Sequence, residues 1–216
     1  KVYELSATNN AYLTIGASEN NNIKKLKTFF RRSFTISYWA KFDSDSLSND
    51  NLIFSLKQDS SNHIYVGIDS SERVIFGSGT DTMATKLRNN IKITDWNNYT
   101  FTYNKRNKLR TIYINGKRIR SDRTQAFNIP IPTTCYIGYD GTNATEAFIY
   151  DFRIYSKNLK EKKIRRLYKL NSVQGSGGLS KNNLKGHWML NEGTGDTAND
   201  KSGGTAYDGT LTNSPT

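Results

Sequence analysis

Phe34 to Phe42, FTISYWAKF, alternates with a period of two: Phe34, Ile36, Tyr38, Ala40 and Phe42 fall on one side, Thr35, Ser37, Trp39 and Lys41 on the other. That pattern is a strand, and a strand with one apolar side needs a second layer to cover it. Asn51 to Leu56, His63 to Ile68, Arg73 to Gly77, Tyr99 to Tyr103, Arg110 to Ile114, Cys135 to Tyr139 and Ala147 to Tyr155 read as further strands, separated by Asp, Ser and Asn clusters that favour turns. Asn115-Gly116 is a hairpin signal, because a type I′ turn needs positive φ at both central residues. Only Asn158 to Leu170 looks helical. It places Ile164, Leu167 and Tyr168 on one face, and Asn158 with Glu161 resembles a capping box. The expectation is an all-β chain with one short helix, docked on the sheet or turned to a membrane surface or polyanion.

Composition narrows the function classes. Of 216 residues 35% are hydrophobic, with 13 Tyr and 10 Phe, which suits one β-sandwich domain whose strands keep a wet face. No apolar run approaches the ~20 residues of a membrane span. The chain opens on Lys1 without an apolar leader, as expected of a segment from a longer polypeptide. Cys135 is the single cysteine, so no intramolecular disulfide or cysteine-based zinc site can form. His63 and His187 lie far apart and outside any HExxH pattern, which argues against a zinc centre.

The formal net charge of +12 predicts attraction to polyanions. The cations gather in three clusters: Lys24, Lys25, Lys27, Arg31 and Arg32; Lys105, Arg106, Lys108, Arg110, Lys117, Arg118, Arg120 and Arg123; and Lys157, Lys160, Lys162, Lys163, Arg165, Arg166 and Lys169. They make either a solubilising surface or a binding one. Without a nucleic-acid reading motif, nucleic acid is expected to bind only non-specifically and to release with salt.

FTISYWAKF, WNNYTFTY at 96–103, IYING at 112–116, YIG at 136–138, YDFRIY at 150–155 with Leu159, and the segment from Trp188 to Gly209 together resemble the laminin-G-like, concanavalin A-like lectin/glucanase family. The resemblance implies a two-sheet antiparallel jelly-roll β-sandwich. It also implies an unusual order. Gly186 to Thr216 resembles the opening strand and first loop of the module, whereas KVYELSATNNAYLTIGA at the start resembles its second strand. Residues 1–168 are then the main part of a jelly roll lacking its first strand, 169–185 a flexible linker, and 186–216 the missing piece. A linker of 17 residues spans about 55 Å when extended. The piece can therefore close its own sandwich or that of a neighbouring copy, the second route giving a homo-oligomer by strand exchange.

The same resemblance implies a structural calcium ion held by Asp200, Asp151 and Ser202 with backbone oxygens of the 201–204 turn. It points to a non-catalytic carbohydrate-binding or adhesion module of a larger surface, secreted or virion protein. The alternative is an assembly module of a virion or surface array linked by strand exchange. The expected ligand is an anionic glycan, and the candidate binding residues are Lys105, Arg106, Lys108, Arg110, Lys117, Arg118 and Arg120. Trp39, Tyr65, Tyr113 and Tyr139 are candidate stacking rings, with core or sheet-face packing as the competing role. Catalysis is not expected: the sequence has no Glu-x-Asp-x-x-Glu strand of a retaining glycosidase, no Gly-x-Ser-x-Gly elbow and no phosphate loop. Asn98 and Asn143 stand in Asn-x-Thr triplets that could accept glycans.

Overall fold

A computed structural model of the chain describes residues 2–6, 8–15, 28–43, 47–88, 90–124, 127, 134–169, 183–193, 195–204 and 207–213. Two antiparallel sheets face each other. The first runs β1 (Tyr3–Leu5), β12 (Ala147–Tyr155), β3 (Phe34–Phe42), β8 (Asn97–Asn104), β9 (Leu109–Ile114), β10 (Lys117–Arg123), with β13 (Leu184–Trp188) also paired to β12. The second runs β14 (Thr197–Ala198), β15 (Gly209–Thr212), β2 (Tyr12–Ile15), β11 (Thr134–Ile137), β4 (Asn51–Lys57), β5 (His63–Ile68), β6 (Arg73–Ser78), β7 (Asp81–Lys86). Phe34, Ile36, Tyr38, Ala40 and Phe42 point into the core between them, where they meet Phe54, Phe76, Phe101 and Phe152. β7 is not apparent in the sequence because Met83 is its only buried residue.

Turn chemistry follows local rules. Asn115 and Gly116 adopt φ of 51° and 73°, as a type I′ hairpin requires. Asp59, Asp69 and Asp140 each accept two backbone N–H groups of the turn that follows them.

The second side of β3 is not wet. Thr35, Ser37 and Trp39 are buried, because the helix α1 (Glu161–Lys169) and the chain leading into it cover that side. Thr35 Oγ1 donates to the Lys157 carbonyl at 2.7 Å and accepts from the Leu159 N–H at 3.0 Å. Ile164 and Leu167 enter a small second core with Tyr113, Tyr155, Leu159 and Leu184. The helix starts at Glu161, not Asn158. Lys163 and Ile164 donate to the Lys160 carbonyl, so Glu161 occupies the first helical position and pairs with Arg165. The capping box is not formed.

The opening segment is two strands rather than one. Asn10 at φ 51° and a bond from the Ala11 N–H to the Ser6 carbonyl turn the chain, sending β1 to the first sheet and β2 to the second. β1 lies opposite residues 147–149 of β12 and β13 opposite 152–155, so the two share one edge end to end. Asp151, at φ 54°, marks the break between them and donates its N–H to the Met189 carbonyl. β15 pairs with β2, so within this chain the last segment contributes to both sheets. Lys169 belongs to α1, and Leu184 and Lys185 to β13. Residues 170–182 of the expected linker, including its GSGG centre, lie outside the described residues.

Candidate functional site

The eight cations of the second cluster do not form one patch. β9 is six residues long, which at ~3.4 Å per residue separates the two ends of the β8–β10 hairpins by about 20 Å. At one end Arg106, Asn107, Lys108, Arg123 and Thr124 border a shallow depression, with Lys105 exposed beside it. At the other, Lys117 and Arg118 project from the β9–β10 turn, both exposed. Arg120 lies between and donates to the Ala84 carbonyl at 2.7 Å, tying edge strand β10 to edge strand β7.

Arg110 is not a surface residue at all: it is 2% exposed. Its Nε and Nη2 donate to Asp122, Nη2 to Asp81 Oδ1, and Nη1 to the carbonyls of Phe76 and Asp81. All five guanidinium donors are engaged, so Arg110 fastens one sheet to the other and offers nothing to a ligand. The arginine on the facing side of a strand differs from its neighbours only in what lies across from it.

Asp200, Asp151 and Ser202 are likewise engaged. Asp200 Oδ1 accepts the N–H groups of His187 and Ser202 at 2.9 and 2.8 Å. Its Oδ2 accepts Ser202 Oγ–H and the Tyr207 N–H at 3.0 and 3.1 Å. A carboxylate has about four lone-pair positions, and these bonds use them. Asp151 Oδ1 faces the Arg153 Nε at 2.7 Å and the His187 Nε2 at 2.8 Å. A calcium ion needs six to eight oxygens. Here the carboxylates face donors and a guanidinium, so the expected calcium set does not fit; these residues instead pin β13 and its following loop. Among the described residues no group of three or more His, Cys, Asp or Glu side chains could hold a metal ion.

The outer side of the second sheet carries an aromatic surface. Leu13, Cys135, Ile137, Phe54, Leu56, Ile64 and Val66 point into the core, which turns Tyr12, Tyr136, Ser55, Lys57, His63 and Tyr65 outward. Tyr12 stacks on Tyr139 at 4.3 Å, and Tyr136 meets both edge-on at 5.5 and 5.1 Å. All three rings are partly exposed. Gly138, at φ 80°, and the Asp140 turn hold Tyr139 over this face. Burial, with the neighbouring Tyr12, Tyr136 and Asp140, raises the Tyr139 hydroxyl above its usual range. Tyr65 lies flat over Gly77, where a Cβ would fall 1.9 Å from its ring, and its hydroxyl bonds to Thr82. Of the four nominated rings, Tyr65 and Tyr139 are on this face, while Trp39 and Tyr113 are packed near α1. Tyr12 and Tyr136 were legible as outward positions beside Leu13 and Cys135.

His63 Nε2 stands 2.8 Å from Ser55 Oγ at the centre of this face. Burial, reinforced by the charge of Lys57, lowers its imidazole from 6.5 to about 4. The unfolded chain therefore takes up this proton first as pH falls, so the stabilisation is complete above pH ~6.5 and is lost on the way down to ~4. We expect about 3 kcal/mol of pH-dependent stability from this group at ~1.4 kcal/mol per unit. Urea midpoints between pH 7 and 4 should show a shallower slope in His63→Gln than in the parent; parallel slopes would assign the acid sensitivity elsewhere.

Asn98 is buried and its Nδ2 donates to the Tyr38 carbonyl, so it is not an accessible glycan acceptor. Asn143 is exposed in the Asp140 turn. Cys135 is fully buried, and burial raises its thiol far above the usual range. The His187–Asp151 pair, which links β13 to β12, is also buried and not open to a substrate.

The family model Laminin_G_3, described as the concanavalin A-like lectin/glucanases superfamily, matches residues 6–165. The chain belongs to this family. No curated protein sequence matches it. Among solved structures, this laminin-G-type chain is similar to a candidate carbohydrate binding protein from Bacteroides ovatus ATCC 8483, with a TM-score of 0.70 and 16% identity over 97% of this chain and 57% of that one. It is also similar to the binding domain of botulinum neurotoxin DC in complex with rat synaptotagmin II, at 0.56 and 20% over 79% of this chain and 46% of that one. A structure of botulinum neurotoxin type C, whose cell entry is described as dependent upon interaction with two ganglioside molecules, gives 0.55 and 20% over 79% and 44%. The laminin-G-type domain thus spans about half the length of the structures it matches, and at these identities the likeness is one of fold. Among the described residues no helix is long and apolar enough to cross a membrane.

Proposed function

We propose that this domain is a non-catalytic glycan-binding module of a larger surface or secreted protein, and that a sugar ring seats on the Tyr12–Tyr136–Tyr139 face of the second sheet. The observation that carries the reading is that cluster: three partly exposed rings within 5.5 Å of one another on an open sheet face. Tyrosine offers a sugar both an apolar face for its C–H groups and a hydroxyl for its oxygens. Lys57 and neutral His63, the latter held by buried Ser55, add polar groups beside the rings, the mix that small-ligand sites use for orientation. Membership of a lectin/glucanase family supports the reading. So does the likeness to a candidate carbohydrate binding protein and to a toxin whose cell entry is described as dependent on gangliosides. Calcium has no part in it, since Asp200 and Asp151 have other partners.

Calorimetric titration against a panel of oligosaccharides, with calcium and with a chelator, tests this. At least one saccharide should bind equally under both conditions, and Tyr139→Ala should weaken it about tenfold, or ~1.4 kcal/mol, with little change in melting temperature. Binding that is indifferent to Tyr139→Ala, or that vanishes with the chelator, would count against the proposal.

A further inference from the structure

Three features far apart in sequence meet on the outer side of the first sheet, opposite the tyrosine face. The β9–β10 turn carries exposed Lys117 and Arg118. α1 presents Lys162, Arg165, Arg166 and Lys169, which with Glu161 border a shallow groove. Gly116 brings the two together: a Cβ at this glycine would stand 3.2 Å from both Arg165 Cα and Tyr168 Cβ. The third feature is a row of rings. Trp96 meets Tyr150 edge to face at 4.9 Å, Tyr150 stacks on Trp39 at 5.7 Å, and Trp39 stacks on Tyr168 at 5.7 Å. The row returns to the turn, because Asn97, next to Trp96, accepts a hydrogen bond from Asn115 Nδ2 at 2.8 Å.

Packing alone does not account for this arrangement. Trp96 and Tyr168 are each 36% exposed and, with Val2, are the exposed large hydrophobic residues among those described. Trp39 is only 8% exposed, yet among the described residues its Nε1–H has no hydrogen-bond partner. Exposed rings at both ends of the row, beside exposed cations, point to a ligand-facing surface. The helix is not a membrane anchor, because its apolar residues Ile164 and Leu167 are already buried against Tyr113, Tyr155, Leu159 and Leu184.

We infer that this face is a second binding site, for an anionic saccharide. A carboxylated or sulfated sugar stacks in the corner between Trp96 and Tyr150, and Lys117 and Arg118 of the turn, with Arg165 of the helix, answer its charge. The inference rests on the glycan-binding reading and extends it to the opposite face. The burial of Trp39 favours a saccharide over single-stranded nucleic acid. A strand needs successive open rings along its path, whereas here Trp39 is covered and only the Trp96–Tyr150 corner can take one flat-faced unit. The charge makes the site prefer an acidic sugar to a neutral one of the same shape.

The test titrates the whole chain with tetrasaccharides of one backbone in neutral, carboxylated and sulfated forms, beside a single-stranded oligonucleotide of matched charge, at low and physiological salt. An acidic form should bind about tenfold more tightly than the neutral one and shift the tryptophan emission. Trp96→Ala should reduce that affinity about tenfold. The double variant Lys117→Gln, Arg118→Gln, altered only at exposed positions, should bring acidic and neutral forms to the same affinity. Tyr139→Ala should leave the preference for the acidic form intact. Trp96→Ala binding acidic sugar like the parent, or the oligonucleotide competing at equal affinity, would reduce the face to non-specific charge. If Tyr139→Ala removes all saccharide binding, this second site falls and the tyrosine site stands. If no saccharide binds, both fall.

Discussion

Trp188→Ala is expected to destabilise the domain by about 4 kcal/mol, in the range for removing a fully buried aromatic side chain. Trp188 is 0% exposed and lies 6.0 Å from the Phe152 ring. Its Nε1–H donates to the Tyr207 carbonyl at 2.9 Å, so one side chain holds β13 to the core and the following loop to β13. The fit is tight: a Cβ at Gly186 would fall 2.3 Å from the indole ring. At 2–4 °C per kcal/mol for a domain of this size, the melting temperature should fall by about 8–16 °C. Loosening β13 also opens half of one edge of β12, a template for pairing with another chain. Sizing at rising concentration should therefore show larger species in the variant, and limited proteolysis should release the segment after α1. Trp188→Phe keeps most of the volume but gives up the hydrogen bond and part of the ring, so it should cost ~2 kcal/mol. A melting temperature within about 2 °C of the parent for the alanine variant would mean that the last segment closes the sandwich without this anchor.

Arg110→Ala should cost about 3 kcal/mol, since removing one member of a buried ionic network leaves its partners without their bonds. Asp81 and Asp122 are part-exposed and recover water, but the carbonyls of Phe76 and Asp81 face the cavity left behind. Arg110→Lys should recover little, because an ammonium cannot fill five planar donor positions. The contrast is with Arg106→Ala and Lys108→Ala, whose side chains are exposed and whose loss should leave stability within ~0.5 kcal/mol. Urea unfolding compared with polyanion affinity separates the two. A variant at Arg110 that folds normally but binds polyanions less would return this residue to the ligand surface.

Much of the architecture was legible from consecutive residues. The alternation in FTISYWAKF set which side of β3 enters the core, and Asn115-Gly116 set the hairpin through two positive φ angles. Family resemblance reached the jelly roll and a glycan-binding reading. The opening segment departs from the resemblance, which implies one strand; Ser6, Asn9 and Asn10 are the turn residues that divide it in two. The helix start was misjudged because Asn158, three residues before Glu161, satisfies the capping-box pattern without forming it.

The candidate sites were less legible, and for one reason. Arg110 and Arg118 read alike in the sequence, but Asp81, 29 positions from Arg110, makes the first a bolt between sheets, while solvent surrounds the second. Asp151 resembles a calcium ligand in sequence, but His187, 36 positions away, packs against its carboxylate. Trp39 and Tyr139 were equally plausible stacking rings, and α1 covers one and leaves the other open. By itself the sequence determined what depends on near neighbours: strand periodicity, turn type, net charge, and the absence of a cysteine partner. Only the tertiary structure decided which charges and rings remain available, because a side chain's solvation and pairing are set by what folds across from it, and that partner is seldom adjacent in the chain.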